Sequence, residues 1–374
     1  MSAIYHLLDE AESFSERDGG AISRWAANVL REGEEVIICP ASDETWKFDD
    51  RRVYVLPRWK DTDPIHPVLY RLPWLLQRKA YIRIFRGLLS KLRPGDLVYV
   101  HNRPACASAL ATVAKQYRFN VVLHMHNSLL LRASQGQLKA LNDTPIVFCS
   151  EFLREEVHST LPGYFTKTFV VRNGADPAKF HVAGRDLPDV PRIIFTGRLV
   201  PYKGVHILVE AMRILKKRGI AATCQIVGGA GFGSRPTTRY VRRLHRSCPS
   251  NTEMVGYKAG EELAALLRRA DIFCCPSIWS DPFPLAPLEA MATGLPVVAS
   301  RTGGLPEALA YGGGVLVPPA DAESLAMALQ NLIEDPERRK QLSDQAVRAF
   351  QEHFRWNNVR DQYRNVIHEV ASYA

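Results

Sequence analysis

A chain of 374 residues is about twice the size of a typical domain, so two domains of roughly 150–200 residues are expected. Its 46% hydrophobic and 23% charged residues are those of an ordinary soluble globular protein and exclude a disordered, collagen-like or disulfide-framework chain. The net charge of +9, from 48 Lys and Arg against 39 Asp and Glu, points to an anionic partner: a nucleotide phosphate, an acidic lipid surface or nucleic acid.

In chain order, the opening MSAIYHLLDEAESFSERDGG is too acidic for a signal peptide, and no run reaches the roughly 18–20 apolar residues of a spanning helix, so a cytoplasmic location is expected. Amphipathic Ala21–Leu30 predicts a helix, then residues 36–39, 97–100, 121–125, 145–149 and 168–171 predict strands, with a helix at Ala105–Gln116. This alternation is the signature of βαβ units on a parallel sheet. His181–Pro191, rich in Gly, Pro and Asp, reads as a linker. Beyond it, strands are expected at Arg192–Thr196, Cys224–Val227, Ile272–Cys275 and Pro296–Ser300, with helices at Val205–Lys217 and Glu261–Arg269. Two similar α/β domains facing a cleft are expected. Near the C-terminus Phe350, Phe354, Trp356, Val359, Tyr363 and Ile367 fall near helical spacing, as in helices that seek an apolar surface. No fixed-period repeat argues for a solenoid or propeller.

Seven cysteines (Cys39, Cys106, Cys149, Cys224, Cys248, Cys274, Cys275) lie mostly in apolar runs without a C-x-x-C pair, and read as reduced core residues. Arg192–Gly204, RIIFTGRLVPYKG, is a strand, a glycine turn and then Arg198 and Lys203 before a helix. Two cations at a strand end beside a helix N-terminus suit a diphosphate; the competing reading is a solvated loop. Pro276–Ser300 places Asp281 and Glu289 around a Pro-rich turn, where carboxylates can accept from vicinal sugar hydroxyls or lie on loop surface. In Arg301–Leu309, Gly303–Gly304 either offer bare amides to phosphate or serve a plain strand-to-helix turn.

His124 and His126 fall two apart on an apparent strand, hence on one face, but no third residue has metal-ligand spacing. Asp61-Thr62-Asp63 matches a D-x-D cation motif in a Pro-bounded loop, where solvation is the simpler reading. GGAGFG (Gly228–Gly233) lacks dinucleotide spacing. Residues Arg51–Arg93 hold eleven Lys and Arg against Asp61 and Asp63, interleaved with aromatics. Within them Pro73–Leu92 can be drawn as a basic amphipathic helix that lies on an anionic membrane, or one that packs its apolar stripe on its own sheet. No nucleic-acid module is present, so no nucleic-acid partner is expected.

Taken together, DGGAISRWAANVL (Asp18–Leu30), VVLHMHNS (Val121–Ser128), RNGADPAKF (Arg172–Phe180), TGRLVPYKG, QIVGG (Gln225–Gly229), DPFPLAPLEAMATGLPVVAS and TGGLPE run in an order that resembles the retaining glycosyltransferases of family 4. The resemblance implies the GT-B fold: a Rossmann-like acceptor domain over residues 1–180, a nucleotide-sugar domain over 181–352, and C-terminal helices 353–374 returning to the first. It implies that Arg198 and Lys203 bind the donor diphosphate with Gly19 and Gly20, and that Glu289 binds the ribose. It further implies that His126, Asp281, Phe283, Pro284 and Leu285 meet the transferred sugar, and that Tyr257 and Lys258 line the nucleobase. Two departures stand out: Asp281 replaces the usual glutamate, and Pro284 replaces a glycine and has no N–H to donate.

The expected activity is metal-independent retaining transfer from a UDP- or GDP-sugar to a glycan or lipid-linked acceptor. The setting implied is bacterial lipopolysaccharide or polysaccharide assembly, with peripheral contact of residues 51–93 with the inner membrane and no cofactor besides the donor. The alternatives are a nucleotide-sugar-processing GT-B enzyme such as a 2-epimerase, or a catalytically weak binding subunit.

Overall fold

The computed structural model describes residues 2–8, 14, 20–30, 35–40, 52–56, 72–184, 190–231 and 237–372. It divides into two compact units, Met1–Arg172 with Arg360–Ala374, and Asn173–Val359. The divisions at 172/173 and 359/360 differ from the expected 180/181 and 352/353, and hydrogen bonds give the reason. Asn173 Nδ2 donates to the carbonyl of Phe283 at 2.8 Å, and the Ala175 amide donates to that of Phe354 at 2.9 Å. The segment that begins at Asn173 is thereby tied into the second unit.

The first unit is built on seven parallel strands: β1 (Ile4–Leu7), β2 (Glu35–Pro40), β3 (Arg52–Leu56), β4 (Leu97–His101), β5 (Asn120–Met125), β6 (Ile146–Phe148) and β7 (Thr168–Val170). Their order is β3-β2-β1-β4-β5-β6-β7. LVYVH and VVLHM are near-continuous apolar runs and are buried on both faces, as parallel strands covered by helices must be. The second unit repeats the plan with β8 (Arg192–Thr196), β9 (Thr223–Val227), β10 (Thr252–Gly256), β11 (Ile272–Cys275), β12 (Val297–Ser300) and β13 (Gly314–Val317). Their order is β10-β9-β8-β11-β12-β13. In each sheet the strand order reverses once, between β1 and β4 and between β8 and β11. Ligands of open parallel sheets bind beyond the carboxyl ends of the strands at such a point.

The second core is assembled on the helix Val205–Lys217, whose Val205, Leu208, Val209, Met212 and Leu215 fall at helical spacing and are buried among Ile193, Ile226, Val298 and Leu329. All seven cysteines are free, six of them buried. Burial pushes the Cys39 thiol up to about 11 and raises those of Cys224, Cys274 and Cys275, so these are inert packing groups.

Of the basic segment, residues 57–71 lie outside the described residues, Asp61 and Asp63 with them. The helix Trp74–Ile84 and the turn Arg86–Leu89 bury Gln77, Tyr81, Phe85 and Leu89 along one stripe. Leu75 and Leu76 remain 61% and 48% exposed, and Ile84 39%. The helix thus packs on its own unit and also presents apolar side chains outward among basic ones.

Leu208 is fully buried, and truncation to alanine removes three carbons from a close-packed core. Leu208→Ala is expected to lower the stability of the second unit by about 2–5 kcal/mol, read as a lower urea midpoint.

Candidate functional site

In the second unit the chain leaves β8 at Thr196 and β11 at Cys275, on either side of the switch point, and both exits carry candidate residues. Gly197 leads to Arg198, whose guanidinium lies 5.8 Å from the ring centre of Tyr202. The short turn Pro201–Lys203 then delivers Lys203, and Gly204 opens the helix Val205–Lys217. Beyond β11 the loop is anchored to that turn, because the Ile278 amide donates to the Tyr202 carbonyl at 3.0 Å and Trp279 packs edge-on against Tyr202 at 5.4 Å. The loop therefore sets Asp281 against Lys203, with Nζ donating to Oδ2 and both side chains mostly buried. The structure brings a predicted phosphate cation and a predicted sugar carboxylate into one ion pair.

Glycines make this approach feasible. A Cβ on Gly204 would stand 1.8 Å from the Pro276 carbonyl oxygen, and one on Gly228 would stand 1.8 Å from that of Gly197. Gly303 and Gly304 press on the backbone of Asp281 and Pro282 in the same way, at 2.3 Å and 1.8 Å. The Gly304 amide donates to the Asp281 carbonyl at 2.8 Å, so at Gly304 the amide is not bare, as the alternative of a plain strand-to-helix turn requires. At Gly304 the N–H is spent on holding the loop, and the pair serves backbone packing.

Phe283 is buried and Pro284 caps the helix Leu285–Ala292, which carries Leu285 half-buried at its start and Glu289 5% exposed within. Tyr257 and Lys258 follow β10, with Lys258 Nζ 3.0 Å from Glu262 Oε1. Sequence reasoning missed Tyr202, Trp279 and Asn173, which fix the two loops. Nothing in their spacing marks them, since each acts through a contact distant in sequence.

In the first unit Gly20 stands buried at the start of the helix Ala21–Val29, and Gly19 lies outside the described residues. His124 is within β5 and His126 just past its end, where its amide donates to Asn102 Oδ1 at 3.2 Å. The sequence offered no third imidazole for this pair. The structure supplies His101, the last residue of β4, which the register sets opposite His124. Ring nitrogens of His101, His124 and His126 all lie within 4.8 Å of one another. Two of these nitrogens also pair with each other, His101 Nδ1 facing His126 Nε2 at 3.2 Å. A histidine closing LVYVH beside VVLHMH was the available signal.

His6 on β1 completes the cluster, with Nδ1 3.2 Å from His101 Nε2, and Trp25 covers the rings at 5.2 Å from His101 and 5.0 Å from His124. Burial pushes His6 and His126 down to about 3 and holds His101 and His124 well below the usual imidazole range, with mutual repulsion adding to the last two. All four are neutral at physiological pH.

Residues 180–348 match the family described as glycosyl transferases group 1. The chain is 26% identical over 294 residues to spore coat protein SA of Bacillus subtilis, a match covering 72% of this chain and 78% of that protein. It is 36% identical over 173 residues to the amylovoran biosynthesis glycosyltransferase AmsK of Erwinia amylovora, covering 44% of this chain and 42% of that one. Over 99% of both chains it superposes on Anabaena Alr3699/HepE in complex with UDP-glucose, with a TM-score of 0.72 at 20% identity. This likeness shows the fold, which is GT-B.

Two outcomes test the site's construction. Gly304→Ala drives a Cβ into the Pro282 carbonyl and is expected to destabilise the second unit and separate Lys203 from Asp281, seen as a lowered melting temperature; an unchanged melting temperature contradicts the packing. For His6, pushed down to about 3 when folded and near 6.5 when unfolded, both states are neutral above pH 6.5. Below that the unfolded chain binds a proton the folded chain refuses, so stability falls as pH drops from 6.5 toward 3, by about 1.4 kcal/mol per unit. Urea midpoints between pH 7 and 5 should fall less steeply in His6→Gln than in the parent.

Proposed function

We propose that this chain, whose second unit is a group 1 glycosyltransferase domain, moves a sugar from a nucleotide-diphosphate sugar to a hydroxyl of a glycan or lipid-linked acceptor with retention of configuration. The observation that carries this reading is the convergence of Arg198, Lys203 and Asp281 on glycine-locked loops at the switch point of the second sheet. Arg198 and Lys203 receive the diphosphate, whose negative charge grows as the bond to the sugar breaks, and so stabilise the transition state more than the ground state. Lys203 reaches phosphate by exchanging one anionic partner for another, which leaves Asp281 to accept from sugar hydroxyls.

Phe283, Pro284 and Leu285 shape the sugar pocket, Glu289 accepts from the two ribose hydroxyls, and Tyr257 and Lys258 line the base. Gly19 and Gly20 allow close backbone approach to the donor, and His126 meets a hydroxyl of the transferred sugar. The acceptor hydroxyl attacks from the face the nucleotide leaves, with a departing phosphate oxygen taking its proton. The cations supply the electrostatic stabilisation, and the scheme calls on no metal or redox cofactor. A UDP- or GDP-sugar is the expected donor, a choice supported by the UDP-glucose complex of the Anabaena protein.

The first unit takes the acceptor. Leu75, Leu76 and Ile84 stand exposed among Lys79, Arg83 and Arg86, which supports a peripheral contact of residues 51–93 with an anionic cytoplasmic membrane face. The likeness to AmsK supports a setting in lipopolysaccharide or polysaccharide assembly.

A panel of UDP-, GDP-, ADP- and dTDP-sugars should raise the melting temperature for one base only. Arg198→Ala and Glu289→Ala should abolish that shift, and Arg198→Ala should cut turnover by roughly 100-fold or more. A folded protein that no nucleotide sugar stabilises at millimolar concentration removes the reading's support. Leu75→Ser with Leu76→Ser should weaken co-sedimentation with phosphatidylglycerol vesicles while leaving the nucleotide-induced shift intact.

A further inference from the structure

The imidazoles of the first unit form a directed chain that starts at a carboxylate. Tyr363, 2% exposed on the helix Trp356–Ser372, donates its hydroxyl to Glu35 Oε1 at 3.0 Å, because a carboxylate only accepts. Its oxygen then faces His6 Nε2 at 3.1 Å, so that nitrogen must carry the hydrogen. A neutral imidazole with a hydrogen on Nε2 has a bare Nδ1, and His6 Nδ1 faces His101 Nε2 at 3.2 Å. His101 is thereby an Nε2–H donor with a bare Nδ1, which faces His126 Nε2 at 3.2 Å. The same step repeats once more: His126 donates from Nε2 and is left with an electron pair on Nδ1. That Nδ1 is shielded from solvent and has no hydrogen-bond partner among the described residues.

We propose that Glu35, Tyr363, His6 and His101 form a positioning relay that fixes His126 in its Nε2–H tautomer and presents its Nδ1 as an acceptor for a sugar hydroxyl. The last clause rests on the reading of His126 as a sugar contact; the tautomer itself does not. The relay crosses the sheet lengthwise, from Glu35 at the first residue of β2, through His6 on β1 and His101 at the end of β4, to His126 beyond β5. Each of these hydrogen bonds has one donor and one acceptor, so the direction set at the carboxylate propagates to His126, and Glu35 Oε2, 3.9 Å from His6 Nε2, favours a hydrogen on that same nitrogen. Trp25 and Tyr99 pack against the rings and exclude the water that would otherwise offer alternative partners. An acceptor-only nitrogen selects a hydroxyl that can donate, and a sugar hydroxyl can do so where a phosphate oxygen cannot.

The test is the ring-nitrogen NMR spectrum of the full chain labelled with 15N-histidine, with the His126 signals identified by their loss in His126→Gln. In the ligand-free protein at neutral pH, His126 is expected to show a bare, pyridine-like Nδ1 and a protonated, pyrrole-like Nε2. In Glu35→Gln, and less completely in Tyr363→Phe, where the carboxylate stays 3.9 Å from His6 Nε2, the direction is imposed less strongly, and both nitrogens are expected to move toward the average of the two tautomers. Glu35→Gln is nearly isosteric and serves if Tyr363→Phe does not fold, as judged by circular dichroism. With donor and acceptor, kcat/KM should fall about ten-fold in Glu35→Gln, the scale on which a lost orienting partner acts. A protonated Nδ1 at His126 in the parent, signals unmoved in the folded variants, or a stoichiometric divalent metal bound at His101, His124 and His126 overturns the relay. Because the tautomer is read without substrate, a failed transfer assay with the expected spectrum counts against the sugar-contact reading alone.

Discussion

The second unit depends on backbone touching backbone at places where no side chain fits. The exits of β8 and β9 meet at Gly197 and Gly228, the exit of β11 crosses the turn after β8 at Gly204, and the exit of β12 lies on the Asp281 loop through Gly303 and Gly304. Gly204, Gly228 and Gly303 also hold positive φ, so a side chain there is disfavoured twice, by collision and by conformation. Hydrogen bonds then exploit the closeness, from Gly197 to Val227, Leu199 to Gly229, Ile278 to Tyr202 and Gly304 to Asp281. Four strand exits become one rigid surface, and charged side chains placed on it keep fixed separations.

On that surface the pairing of Lys203 with Asp281 has an electrostatic logic. Bringing a lone ammonium into a mostly buried position is costly, and a carboxylate beside it offsets much of that cost before any ligand arrives. In the proposed reaction an incoming diphosphate takes over the lysine without exposing it, since one anion replaces another, and Asp281 is thereby released to a hydroxyl. The aspartate in place of the expected glutamate fits this geometry, because the turn at Trp279–Asp281 and the contact with Gly303 already bring its backbone close.

Legibility in the sequence followed local continuity. β8, β11 and the helix Val205–Lys217 are readable to the residue, and β5 nearly so, because each is an unbroken apolar or 3.6-period run. β1, an interior strand of the first sheet, is not: IYHL is four residues long and contains the histidine that the core uses. β10 is an edge strand with Glu253 exposed, and β13 follows a run of glycines, so neither shows a clear pattern. The motif residues of the site are visible by type and order. The ion pair between two of them is not, nor is the spending of the Gly304 amide on its own loop, because both depend on where distant strands end. His101 joins His126 only through the register of β4 on β5.

The buried histidines pose a different constraint. Three buried imidazoles, two phenols and a carboxylate in the heart of a sheet, with the half-buried His126 beside them, cost more to desolvate than the apolar side chains that would fill the same space. Such a cluster is tolerable when its groups satisfy one another, and along Glu35, Tyr363, His6, His101 and His126 each link is made at 3.0–3.2 Å. Two ring nitrogens of the cluster have no hydrogen-bond partner among the described residues, Nε2 of His124 and Nδ1 of His126. His124 is fully buried within β5, whereas His126 stands just beyond the carboxyl end of that strand, where a parallel sheet receives its ligands. Of the two unmet hydrogen bonds, the one at the end of the relay is therefore the one placed for a ligand to complete.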